Sequence, residues 1–128
     1  MNNFTTKEQS LNLVKLGLNR DTADMCYYYN FVTETNSEIP AVVVGTLHDT
    51  TSNNIPCWSV GQLLKLMPKI KNSDKVYYPY LGLNRDGNFI CVYRFNDNDW
   101  HWYIENDVVE VCYQMIVWLL QNNYIKTE

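Results

Sequence analysis

The chain is short of the residues that most catalytic and ligand-binding sites require. Two histidines and five glycines are spread over 128 residues. The four cysteines (Cys26, Cys57, Cys91 and Cys112) show no CxxC pair and no Cys–His ligand spacing, which gives zinc no recognisable set of ligands. No glycine-rich GxGxxG or GxxxxGK[ST] loop opens a helix, so nucleotide binding has no support and no cofactor is expected. Apolar runs fall well short of the ~18–20 residues that cross a bilayer. The opening "MNNFTTKEQS" lacks the basic start and apolar stretch of a secretory signal. These absences lead to an expectation of a cytoplasmic protein with reduced, buried thiols and no membrane partner.

Positive charge is also scarce, with ten Lys and Arg against fourteen Asp and Glu and a net charge of −4. A duplex-binding surface needs clustered cations to displace counterions from phosphates. The only basic concentration is Lys65, Lys69, Lys71 and Lys75, interrupted by Asp74, and mixed charge of that kind marks a water-facing surface. Direct nucleic-acid binding is therefore disfavoured.

What the sequence does have is apolar and aromatic content. Hydrophobic residues make up 46% and aromatic residues 14%, with ten tyrosines and four tryptophans. That composition is globular, and the length fits one domain over residues 1–128.

Thr5 and Glu8 have the spacing of a capping box for a first helix that Gly17 would end. "CYYYNFVTE" and Ala41–Leu47 are β-branched or aromatic and are expected as strands, with "TNSEIP" and "HDTTSNNIP" as loops. Ser59 with Gln62 marks a second helix, stapled by Trp58 and stopped by Pro68. "KVYYPYLGLNRDGNFICVYRF" is a hairpin around Asn84-Arg85-Asp86-Gly87, with Gly87 at positive φ and Pro79 confined to an edge or bulge. Trp100, Trp102 and Ile104 alternate with His101 and Tyr103, predicting a strand with the first three facing inward. Asp107 and Glu110 cap a last helix whose apolar face runs from Val108 to Leu120. The fold expected is α+β, a single antiparallel sheet of four or five strands with three helices packed on one face.

The hexapeptide LGLNRD occurs at Leu16–Asp21 and again at Leu81–Asp86. Its flanks differ, helix end in one case and hairpin turn in the other, so it is not a duplicated domain, which would agree over ~20–50 residues.

Candidate chemistry is thin. His48, Asp49 and Cys57 are the residues from which a thiol-nucleophile site would be assembled, and nothing in the sequence brings them together. Asp97, Asp99 and His101 sit at alternate positions but lack the glycine and closing glutamate of a calcium loop, so no metal is expected. The tyrosines are more informative. Neighbouring strand residues point to opposite faces, so some of the ring pairs and triplets must face away from the core. Tyr27, Tyr29, Tyr78, Tyr80 and Tyr103 are the expected interaction surface.

The stretches "TKEQSLNLVKLGL", "PCWSVGQLLKLMPK" and "VWLLQNNYIKTE" resemble small proteins encoded in gut Bacteroides genomes and their phages or mobile elements. They are helices and helix starts, so the resemblance speaks to fold and implies a cytoplasmic accessory protein with no assigned activity. The leading functional expectation is a non-enzymatic interaction protein, with an unknown protein partner or self-association. The alternatives are a small enzyme centred on His48, Asp49 and Cys57, or an acidic inhibitor of a nucleic-acid enzyme.

Overall fold

The computed structural model describes residues 2–43 and 53–127. Among these residues three α-helices, α1 (Lys7–Lys15), α2 (Val60–Leu66) and α3 (Val108–Gln121), are combined with nine short strands in an α+β arrangement. The pairings between these strands are antiparallel. The strands do not form one sheet. β1 (Met25–Tyr27) lies between β4 (Ala41–Val42) and β5 (Ile55–Cys57), and β2 (Tyr29–Asn30) pairs with β3 (Thr35–Asn36). β6 (Ile70–Asn72), β7 (Lys75–Leu83), β8 (Phe89–Phe95) and β9 (Asn98–Glu105) form a four-stranded meander.

The split has local causes. The expected long strand from Cys26 breaks at Tyr28, whose carbonyl accepts from Ser37 N while the next amide, of Tyr29, donates to the side chain of Asn54. The chain then turns at Asn30, whose Oδ1 accepts from Val32 N and Thr33 N. Thr35 and Asn36, expected in a loop, form the returning strand. Ile55 and Pro56, expected in a loop, join Cys57 in β5 and pair with β1, and Pro56 is tolerated because β5 is the outer strand of its sheet. Nor do the helices share one sheet. α3 lies against β8 and β9, α2 packs on α3, and α1 packs against β5.

The first helix starts one residue later than its capping-box pattern suggested. Thr6 accepts from Gln9 N, and Gln9 reciprocates to Thr6 N. Thr5 is instead fully buried, its Oγ1 bonded to Ser10 Oγ at 2.7 Å and accepting from Trp58 N at 3.1 Å. At α2, Ser59 Oγ accepts from Gln62 N as expected, but Asp24, not Gln62, receives the Ser59 amide. Gln62 reaches the Thr22 carbonyl instead, so the cap ties α2 to the N-terminal half. Trp58 is buried and donates its indole N–H to Thr22 Oγ1 at 3.0 Å. Asp107 caps α3 through Glu110 N.

The repeated hexapeptide serves two backbones. Gly17 has φ +98° and closes α1, with Leu18 N donating back to the Leu13 carbonyl. Gly82 lies within β7. The second half of the motif behaves alike in both copies. Asn19 Oδ1 accepts from Asp21 N at 2.8 Å, and Asn84 Oδ1 accepts from Asp86 N at 3.0 Å. Each asparagine builds the same side-chain-closed turn, so the shared Asn-Arg-Asp is shared local chemistry in unrelated places.

The main core lies between α3, α2 and one face of the meander. Val111, Cys112, Met115, Ile116 and Leu119 of α3 meet Leu63, Cys91 and Tyr93 there. Among the described residues no helix is long and apolar enough to cross a membrane.

Candidate interaction surface

The four-stranded sheet presents two faces, and strand pairing assigns residues to each. On the inner face Leu81, Cys91 and Tyr103 are in register, as are Pro79, Tyr93 and His101. Tyr93 is buried and its hydroxyl donates to the Pro68 carbonyl at 2.7 Å. His101 stacks on Trp118 of α3, with ring centroids 3.9 Å apart and planes 16° apart. Burial disfavours the imidazolium and lowers the pKa of His101.

On the outer face the rows are Tyr78–Arg94–Asp99, Tyr80–Val92–Trp102 and Gly82–Ile90–Ile104. No helix packs here among the described residues. Tyr78, Tyr80, Trp102 and Ile104 are between 43% and 50% exposed, while Val92 beneath them is only 2% exposed. The rings therefore shield an aliphatic centre and remain open themselves. Three aromatic side chains of ~150–250 Å² each, half open, leave roughly 200–400 Å² of contiguous surface. At one end, Arg94 Nε meets Asp99 Oδ1 at 2.6 Å and its guanidinium lies 5.7 Å from the Tyr80 ring centroid. A shallow depression there is lined by Asp74, Val76, Tyr78, Tyr80, Arg94 and Asn96.

The orientation of β9 is opposite to the one expected. Tyr93 pairs with His101 and Arg94 with Asp99, so Trp100 is an extra residue between them. This β-bulge advances the alternation by one residue. Trp100 stays inside, 5.6 Å from Trp118 and 4.7 Å from Tyr77 between ring centroids, and Trp102 and Ile104 turn outward. The bulge lies just past the tight Asn96-Asp97 connection, where Asn96 has φ +54°.

The expected interaction residues separate accordingly. Tyr78 and Tyr80 lie on the outer face. Tyr103 faces the core, edge-on to His101 at 5.0 Å. Tyr29 belongs to a separate two-stranded sheet, edge-on to Phe31 in the β2–β3 hairpin. Tyr27 is excluded from any surface, since it is 3% exposed and its hydroxyl donates to the Thr5 carbonyl. Reasoning from the sequence missed Trp102, Ile104, Ile90 and Val92. The signal for the last two was their alternation with Cys91 and Tyr93; for the first two it was hidden by the bulge.

The enzyme alternative loses its nucleophile. Cys57 is fully buried, its thiol donates to the Thr5 carbonyl at 3.3 Å, and burial raises its pKa, the reverse of an activated thiolate. His48 and Asp49 lie outside the described residues. Burial likewise pushes the Cys26 thiol up to about 11. Among the described residues no three His, Cys, Asp or Glu side chains gather as a metal site. Comparison with protein-family models, with curated proteins and with solved structures gives no match.

Proposed function

We propose that this chain is a non-enzymatic, cytoplasmic interaction protein of bacterial or phage origin, and that the outer face of its four-stranded sheet receives a protein partner. The observation that carries this reading is the open aromatic cluster of Tyr78, Tyr80 and Trp102 over the buried Val92. Half-exposed tyrosine and tryptophan around an apolar centre is the composition of an interface core, where rigid rings bury large area at low entropic cost. The outer face favours a protein over single-stranded nucleic acid. Base stacking is accompanied by cations that hold phosphates, yet the arginine among these rings is engaged by Asp99 and the chain as a whole carries −4. The partner surface that fits is aliphatic, inserting side chains between the rings, with cationic groups at its margin opposite Asp74 and Asp99.

The test is site-specific photocrosslinking in the source cell, with a benzophenone side chain in place of Trp102 and, separately, of Phe31. Phe31 is even more exposed but stands on the β2–β3 hairpin. A discrete protein adduct at position 102 that is absent at 31, and is lost when Tyr80→Lys is added, supports the reading. Equal labelling at both positions, or an adduct dominated by RNA, refutes it.

A further inference from the structure

The edge of the same sheet has a chemistry of its own. Among the described residues β9 pairs with β8 alone, so one row of its backbone N–H and C=O groups has no strand to bond. Such an edge is a template for a further strand, and proteins that must stay single usually blunt it with proline, lysine or a short strand. The opposite edge is treated that way. β6 covers β7 only from Lys75 to Tyr77, and the uncovered continuation carries Pro79. β9 is eight residues long, NDWHWYIE, with neither proline nor lysine. Its one irregularity, the bulge at Trp100, lies toward its start and leaves His101–Glu105 regular.

We propose that His101–Glu105 is the contact edge of a symmetric homodimer, pairing antiparallel with the same segment of a second copy in a register centred on Tyr103. Two-fold symmetry makes the contact self-complementary, and alternation of faces allows only registers that keep outward residues opposite outward residues. A register centred on Trp102 sets outward Ile104 opposite the bulged, inward Trp100 of the second copy, so the alternation of faces fails there. One centred on Tyr103 avoids this fault. It sets Trp102 opposite Ile104 of the second copy, twice, on the outer face, a favourable aromatic–aliphatic cross-strand pair. On the inner face it sets His101 opposite Glu105 of the second copy. Glu105 already accepts from Gln114 Nε2 of α3 in its own chain at 2.9 Å, so the outer Trp102–Ile104 pairs carry the register. The outer faces of the two copies then run on as one surface, so the dimer enlarges the patch described above without covering it. The inference stands on the strand edge and not on the proposed partner of the face.

Sedimentation velocity of the full chain across a wide concentration range tests it. A monomer–dimer equilibrium is expected, and Ile104→Lys is expected to weaken it about tenfold or more, because symmetry removes both Trp102–Ile104 pairs at once. Register is read by mixing Trp102→Cys chains with Ile104→Cys chains and adding a short thiol-to-thiol crosslinker. Covalent dimer forms in the mixture more readily than in either variant alone. A chain that stays monomeric at every concentration, a dimer indifferent to Ile104→Lys, or equal crosslinking in all three samples overturns the proposal. A monomeric chain that still gives the position-102 photo-adduct rejects the dimer and leaves the partner surface standing.

Discussion

On one face of the four-stranded sheet, Tyr93, Trp100, His101 and Tyr103 lie toward α3 and its Trp118. On the other, Tyr78, Tyr80 and Trp102 end in solvent. The two faces draw on the same residue types and the same strands, so residue chemistry does not separate core from surface here. Coverage does. α3 lies across β8 and β9 on one side, with eight buried apolar side chains along its length, and no described element lies across the other. Open rings on the uncovered face contribute little to the isolated chain beyond shielding Val92, which leaves them available for association.

Substitutions on the covered face should break this contrast most strongly. Tyr93→Ala removes a fully buried ring and strands the Pro68 carbonyl, and we expect a loss of about 3–5 kcal/mol in urea unfolding. Such a loss would unfold much of a marginally stable chain. Tyr93→Phe keeps the ring and drops only the hydroxyl, with an expected cost of about 1 kcal/mol by the same measurement. A near-neutral Tyr93→Ala would mean the inner face is not the core.

The pH dependence of His101 sharpens the comparison further. Its folded pKa lies below the ordinary 6.5 because burial disfavours the cation. Below that ordinary value the unfolded chain binds a proton that the folded chain resists, so stability is fullest above it and declines as pH falls toward the lower folded value. Wild type should therefore lose more stability than His101→Phe between pH 7.5 and pH 5, read from paired urea midpoints. Parallel curves for the two would show that His101 is solvated and that its stacking on Trp118 does not exclude water.

Thiol labelling gives a milder probe of burial in two of the sheets and in α3. Cys26, Cys57, Cys91 and Cys112 are all buried and free, and raised thiol pKa values further suppress the reactive thiolate at Cys26, Cys57 and Cys91. In native buffer all four should react with a bulky disulfide reagent far more slowly than in denaturant. A single fast thiol at Cys57 would favour the enzyme alternative.

Much of this architecture is legible in the sequence, and the failures share a cause. Helix caps at Ser59 and Asp107, the stop at Pro68 and the Asn84–Gly87 turn rest on chemistry within a few residues, and each is realised. Pairing between distant segments is not encoded locally. β5 becomes a strand because β1 is there to pair with, and a three-residue segment containing Pro56 carries no strand signal of its own. The break at Tyr28 depends on Asn54 and Ser37, far along the chain. At the candidate surface Tyr78 and Tyr80 were readable from alternation alone. Trp102 and Ile104 were not, because one bulged residue reverses every later side chain while leaving the alternating pattern intact.

If the outer aromatic face serves association, Trp102 adds little to the folding of the single chain. The most direct test is the unfolding free energy of Trp102→Lys against wild type, measured in urea at a concentration low enough to keep the chain monomeric. We predict a difference of about 1 kcal/mol or less, the worth of a cross-strand pair with Val92. A loss of several kcal/mol, approaching that of Tyr93→Ala, would show that Trp102 supports the core and would contradict the account.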